Sequence, residues 1–325
     1  MPYSEDDTRV KIIDPQIHKD GWKEENILRN YPIADDRFFV EGEDFKRLPT
    51  AKFADYVVLY DNVSIAVLEA KAEDEDPLKH LSQAQDYAKR LDVPFAYISN
   101  GKTTYLHDRR TLKTEEVSSY ISPEEMFKAY KEWKGLSDQK LDALTYPLYV
   151  TGTKRPRAYQ ETAIKNTVEN IVKGNKTTLL TMATGTGKTF TAFQIVWKLL
   201  KSKRIHRVLF LCDRIILRDD AYSRDFEPFG EARCKIEGGE FNANRDMYFA
   251  TYQTLFTNDL YKQIPADFFD LIVIDECHRS RYGDWGEVLE HFQSAQQLGM
   301  TATPKCEDNI DVYEYFGEPV FEYSL

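Results

Sequence analysis

The sequence predicts an α/β protein in two parts: a mixed sheet flanked by helices, followed by a doubly wound parallel sheet. Three observations carry this. From Thr177 onward, strand-like runs at Thr177–Met182, Val208–Cys212, Met247–Thr251, Leu271–Asp275 and Gln297–Thr301 alternate with helical patterns. Before them, Ala54–Tyr60 and Ser64–Lys71 face each other across the turn Asp61-Asn62. At 325 residues the chain is long enough for two cores. We expect a first domain over 1–134, a linker over 135–154 where polar residues mix with Gly and Pro, and a second domain over 155–325.

Composition narrows the function. An apolar fraction of 42% and an aromatic fraction of 13% describe an ordinary folded protein. No run of about eighteen apolar residues exists, which predicts no membrane partner, and the first residues lack a secretion signal. Cys212, Cys234, Cys277 and Cys306 show no C-x-x-C spacing, which argues against a zinc ribbon and for a reducing cytoplasm. The net charge of −11 opposes indiscriminate nucleic-acid binding, while a local basic groove stays possible.

In order, Ser4–Asp20 reads as a helix capped by Ser4, with Val10, Ile13 and Ile17 at helical spacing and Gly21 as its stop. Asp14-Pro15 predicts a restart within it. In the second strand of the hairpin, Ile65, Val67, Glu69 and Lys71 share one face. A carboxylate and an ammonium at the end of a buried strand imply a task. Asp55 is the natural partner of Glu69, yet a plain two-residue turn would set Asp55 opposite Leu68. A three-residue loop or a bulge is therefore expected, so that Asp55 and Glu69 converge. Two carboxylates with Lys71 nearby make a Mg²⁺ site able to polarise a phosphodiester and activate water; Mn²⁺ also suits such oxygen ligands. A structural ion-pair network is the plain alternative. A helix over Pro77–Leu91 follows, carrying Gln83 and Tyr87 one turn apart, and Glu5 is a candidate further acid. Phe95–Ser99 and Thr103–His107 form a hairpin across Asn100-Gly101, a type I′ signal. Glu73–Asp76 reads as a solvated loop, and Ser122–Lys134 as an amphipathic helix.

The stretch Thr177–Thr191, TTLLTMATGTGKTFT, predicts a strand, a loop over Ala183–Gly187 and a helix opening at Lys188-Thr189. Gly185 and Gly187 let backbone N–H groups converge beside Thr184 and Thr186, and the helix N-terminus adds positive potential. Lys188 can reach β/γ-phosphates and the Thr189 hydroxyl can ligate Mg²⁺, so the stretch is a nucleotide site for ATP. Met182 stands where the motif's first Gly would be. The apolar run Leu271–Asp275 delivers Asp275 and Glu276 at a strand end: Asp275 to hold Mg²⁺ through water, Glu276 to act as base or orient water, and His278 to sense the γ-phosphate side.

These motifs carry a resemblance. Asp55…Glu69-Ala70-Lys71 with Gln83 and Tyr87 resembles the RecB-type branch of PD-(D/E)xK nucleases. Tyr159-Gln160 resembles the helicase Q motif, which reads adenine, although a simple helix start accounts for it too. Thr301-Ala302-Thr303 resembles motif III of superfamily-two helicases, which couples nucleotide state to DNA grip. Arg214, Thr251 and Gln253 sit where such motors touch the strand backbone, with ordinary surface loops as the alternative. Taken together, nuclease pattern then RecA-like helicase lobe, with SEDDTRVKIIDPQI near the start and DECHRSRYG at the carboxylate strand, resembles the R subunit of type I restriction enzymes over nearly the whole chain. That resemblance implies an ATP-driven double-stranded DNA translocase that cuts away from its recognition site, partnered by methyltransferase and specificity subunits. It also implies a second RecA-like lobe bringing an arginine finger, expected beyond Leu325, without which ATPase should be weak. Two alternatives stand: a stand-alone DNA repair or antiviral helicase–nuclease, and a motor whose N-terminal domain is a catalytically silent docking module.

Overall fold

The computed structural model describes residues 1–33, 38–41, 44–47, 52–138, 141–152, 155–277, 285–302 and 310–323. It divides into two compact units, Met1–Asp138 with Arg157–Thr162 and Gln139–Pro156 with Ala163–Leu325. The segment expected as a linker is not bare coil: Asp142–Thr145 forms a helical turn, and the Tyr149 N–H donates to Gln194 Oε1 of the second unit's core helix at 2.9 Å.

The first unit opens with one helix over residues 5–19, capped by Ser4, whose hydroxyl accepts from the Asp7 N–H. The expected restart at Asp14-Pro15 is absent. Arg9–Ile13 forms a π turn instead, with the Asp14 N–H reaching the Arg9 carbonyl, and the helix runs straight on. Pro15 has no N–H for the carbonyl four residues back, and the wide turn gives its ring room. The same turn moves the buried stripe: Thr8, Ile13 and Ile17 are buried while Val10, expected with them, is 66% exposed. Gly21 follows the helix at φ +95°, and the Trp22 N–H bonds back to Ile17.

The strands are β1 (Ile27–Pro32), β2 (Phe38–Glu41), β3 (Asp44–Arg47), β4 (Phe53–Tyr60), β5 (Val63–Ala70), β6 (Phe95–Ser99), β7 (Thr104–Asp108) and β8 (Lys113–Val117). They form a six-stranded sheet, β1-β4-β5-β6-β7-β8, and a separate β2–β3 hairpin. Only β5–β6 is parallel, its crossover made by the helical segments Pro77–His80 and Leu81–Arg90. Ala84, Tyr87, Ala88 and Leu91 pack there over Val57, Val67, Ala96 and Ile98. β6 and β7 join through residues 100–103 rather than a two-residue turn: Asn100 Oδ1 accepts from the N–H groups of Lys102 and Thr103, so its side chain organises a longer loop.

The second unit holds β9 (Thr177–Met182), β10 (Val208–Cys212), β11 (Arg233–Lys235), β12 (Met247–Thr251), β13 (Leu271–Asp275), β14 (Gln296–Thr301) and β15 (Phe321–Tyr323). All pair in parallel in the order β11-β12-β10-β13-β14-β9-β15. The central strands are buried throughout, which is why they read as continuous apolar runs. Because β9 lies beyond β13 while the chain returns from β9 to β10, the sheet reverses direction between them, and its carboxyl edge is where such sheets place ligands.

Candidate functional site

In the first unit the hairpin turn is Asp61-Asn62, both at positive φ, so the loop is the two-residue alternative. The expected irregularity is a bulge: pairing shifts between Val58 and Leu59, so Tyr56 faces Leu68 and the next positions are Asp55 and Glu69. The two carboxylates are tied into each other's strands. Asp55 N–H donates to Glu69 Oε1 at 3.2 Å, and Ala70 N–H donates to Asp55 Oδ2 at 2.8 Å.

Around that pair gather the other expected residues. Gln83 Nε2 donates to Glu69 Oε2 at 2.9 Å and to the Tyr87 hydroxyl at 3.2 Å. Lys71 Nζ lies 3.9 Å from Glu69 Oε2 and 3.4 Å from Glu5 Oε2. One residue was not foreseen: Arg9 Nη1 sits 3.2 Å from Asp55 Oδ1. Glu5 and Arg9 at i, i+4 were the available signal. Burial, and then repulsion from Asp55, push the Glu69 carboxyl up to about 8 against the pull of Lys71. A divalent cation bound there would relieve that repulsion. Among the described residues no group of three or more His, Cys, Asp or Glu side chains is arranged to hold a metal.

In the second unit β9 ends at Met182. The Thr186 hydroxyl donates to the Ala183 carbonyl at 2.6 Å, tightening the loop, and Gly185 and Gly187 take φ +79° and +84°. Gly187 is the N-cap of helix Lys188–Lys201, whose first intrahelical bond runs from Thr191 N–H to Gly187. The N–H groups of that first turn are thereby turned toward the loop containing Thr184, with Thr189 half-buried beside it. β13 brings Asp275 and Glu276 to the same edge: Lys188 Nζ is 3.6 Å from Glu276 Oε1. Burial, followed by the Glu276 charge, raises Asp275 to about 6, and Lys188 opposes the rise. Glu276 is held at φ +53°, an unusual backbone state for a residue other than glycine.

Other expected residues fall differently. Tyr159 and Gln160 open the helix Ala158–Val172; Gln160 Oε1 accepts from the Arg157 N–H, serving as a helix-start contact. Thr251, expected to donate to DNA, is buried, and its hydroxyl caps the next helix by accepting from Thr254 N–H at 3.2 Å. Gln253, in the helix Tyr252–Phe256 that follows β12, and Arg214, the N-cap of the helix after β10, are exposed. Thr301 is buried in β14. His278, Thr303 and Cys306 lie outside the described residues. Cys212 and Cys277 are buried free thiols, and Cys234 packs half-buried against the core. No helix of the described residues is long and apolar enough to cross a membrane.

Comparison with known proteins bears on the chain as a whole. Residues 153–306 match the family model described as type III restriction enzyme, res subunit. The chain is 40% identical to the endonuclease subunit of the type I restriction enzyme EcoAI of Escherichia coli, over 99% of this chain and 42% of that protein. It is 27% identical to the EcoKI endonuclease subunit of Escherichia coli strain K12, over 99% of this chain and 34% of that one. A fragment structure assigned to an HsdR subunit of a type I restriction enzyme from Vibrio vulnificus YJ016 superposes with a TM-score of 0.86 at 40% identity, covering all of this chain and 60% of the other. The chain thus spans less than half the length of these curated relatives. By sequence along nearly its whole length, and by fold, it is similar to the endonuclease subunits of type I restriction enzymes.

Proposed function

We propose that the chain contributes both the DNA-cleaving and the ATP-driven parts of a type I restriction enzyme, acting on double-stranded DNA in the cytoplasm with methyltransferase and specificity subunits as partners. The observation that carries the reading is the bulge that sets Asp55 level with Glu69, beside Lys71 and Gln83. A bulge spent on aligning two carboxylates is costly for a scaffold and useful for a catalyst. Asp55 and Glu69 would hold Mg²⁺, which polarises the phosphodiester and lowers the pKa of an attacking water. Lys71 is placed to offset negative charge growing on the phosphate. Gln83 orients Glu69, and Tyr87 orients Gln83.

In the second unit Lys188 exchanges Glu276 for the β/γ-phosphates of ATP, cradled by the N–H groups around Thr184–Thr189; Thr189 and Asp275 would hold Mg²⁺. Glu276, freed, orients the attacking water. Tyr159 and Gln160 are proposed to meet adenine, His278 the γ-phosphate, Arg214 and Gln253 the DNA backbone, and Thr301 with Thr303 to couple the two. The proposed domain limits are 1–134 and 155–325. Incubating plasmid DNA with Mg²⁺ and the wild type, Asp55→Ala or Lys71→Ala, in the full complex, tests the reading. Cleavage that persists in both variants would sink it.

A further inference from the structure

The first helix does more than flank the nuclease candidate. Its two facing side chains, Glu5 and Arg9, one turn apart, each meet a group of opposite charge: Glu5 Oε2 lies 3.4 Å from Lys71 Nζ, and Arg9 Nη1 lies 3.2 Å from Asp55 Oδ1. Arg9 also donates through Nη2 to the Asp55 carbonyl at 3.4 Å, and its guanidinium lies 5.2 Å from the centroid of the Tyr56 ring. Both side chains of the Arg9–Asp55 pair are only 13% exposed, so water screens the pair weakly. The other Asp55 oxygen is occupied by the Ala70 N–H. Arg9 is also the first residue of the π turn, a local widening that helices reserve for functional positions more often than chance allows.

We propose that Arg9 is a gating residue for the metal: an internal cation seated on the Asp55 oxygen that a divalent ion would take, so that loading requires the guanidinium to withdraw. The inference rests on the nuclease reading above. A guanidinium and a dication compete for one carboxylate oxygen at the same edge, and on withdrawal the guanidinium keeps Asp6, whose Oδ1 lies 3.9 Å from Arg9 Nη1 on the exposed side. The π turn supplies the means of withdrawal, since shifting the wide turn by one residue along the helix rotates Arg9 relative to Glu5 while the buried Ile13 and Ile17 stay seated.

The test is Mn²⁺ binding to nucleotide-free protein, followed by electron paramagnetic resonance of the free ion and by calorimetry, for wild type, Arg9→Gln, Arg9→Lys and Asp55→Asn. The site lost in Asp55→Asn is the one that counts. Removing the competitor should tighten that site about tenfold in Arg9→Gln, with Arg9→Lys staying near wild type. A merely structural role would weaken binding or leave it unchanged, and either result overturns the gate while sparing the metal site. Absence of any Asp55-dependent Mn²⁺ site in wild type and Arg9→Gln alike overturns the nuclease reading and the gate with it. A second readout needs no variant to fold: in ¹⁵N-labelled wild type the Arg9 Nε–H resonance should move on Mg²⁺ addition, and a stationary resonance at saturating metal refutes withdrawal.

Discussion

Replacing Glu69 by Gln isolates the electrostatics of the carboxylate pair. Glu69 is almost fully buried, and its carboxyl titrates near 8 against an ordinary 4.5. In metal-free protein the folded state therefore keeps a proton that the unfolded chain releases. With more protons on the folded side, stability falls as pH rises across that window, being fully present below 4.5 and lost by 8. At about 1.4 kcal/mol per unit, moving from pH 5 to pH 8 removes about 4 kcal/mol. Glu69→Gln has nothing to ionise there, and its amide keeps the shape of the site, since Gln83 can flip its own amide and the Tyr87 hydroxyl can donate as well as accept. Hydrogen exchange of β4 and β5 peptides along a urea series in EDTA reads the first unit alone. The wild-type unfolding free energy should drop relative to the variant by about 4 kcal/mol over those three pH units. Mg²⁺ should restore much of the loss in wild type and little in Glu69→Gln. Parallel pH profiles for the two proteins would refute the assigned burial and repulsion.

Other consequences are as direct. Lys188→Ala removes the ammonium facing Glu276 and should weaken binding of a fluorescent ATP analogue tenfold or more, measured by anisotropy. Because Asp275 titrates near 6, Mg²⁺-dependent nucleotide affinity should fall about tenfold per unit below that pH, protons displacing the metal, while remaining flat above pH 7. Gly299→Ala puts a methyl 2.8 Å from Phe316 Cζ and 3.0 Å from Cys277 Sγ, which should cost about 1–3 kcal/mol in unfolding of the second unit. Gly185→Ala meets no neighbour but must hold φ +79°, so about 1–2 kcal/mol of loop strain should appear as weaker nucleotide binding with the melting of the sheet unchanged.

What could be read in the residues was local chemistry backed by burial. Leu271–Asp275 announces itself because a strand buried on both faces has no polar interruption until its end, where Asp275 then stands out. The bulge was legible because two charges needed the same face and parity forbade it. Edge elements were not legible. Lys113–Val117 is exposed along almost its whole length, so KTEEV carries no apolar period, and β11 and β15 are only three residues each. Thr251 reads as a DNA contact or a surface loop and Gln160 as an adenine contact or a helix start; both polar groups make helix-start bonds here, a use that sequence alone does not separate from ligand binding. The π turn was hidden behind Asp14-Pro15, which mimics a fresh helix start while the chain simply widens before it.

An odd number of residues separates Asp55 from Glu69, and a flawless antiparallel hairpin with a two-residue turn can only match positions separated by an even number. The hairpin therefore has two folded accounts of itself: a tidy one with Asp55 against Leu68, and an irregular one with the carboxylates abreast. Removing Ile65 from the second strand, or adding one residue at the turn, would make the separation even and let a regular hairpin keep the carboxylates aligned. Deleting one residue from Asp61-Asn62 while Ile65 stays also makes the separation even, so the carboxylates stay abreast without a bulge once the turn is rebuilt from a neighbouring strand residue. Among its relatives, then, natural length variation at this hairpin tip should come with a compensating change in the bulge, so that the flaw comes or goes while the pairing of the two acids stays.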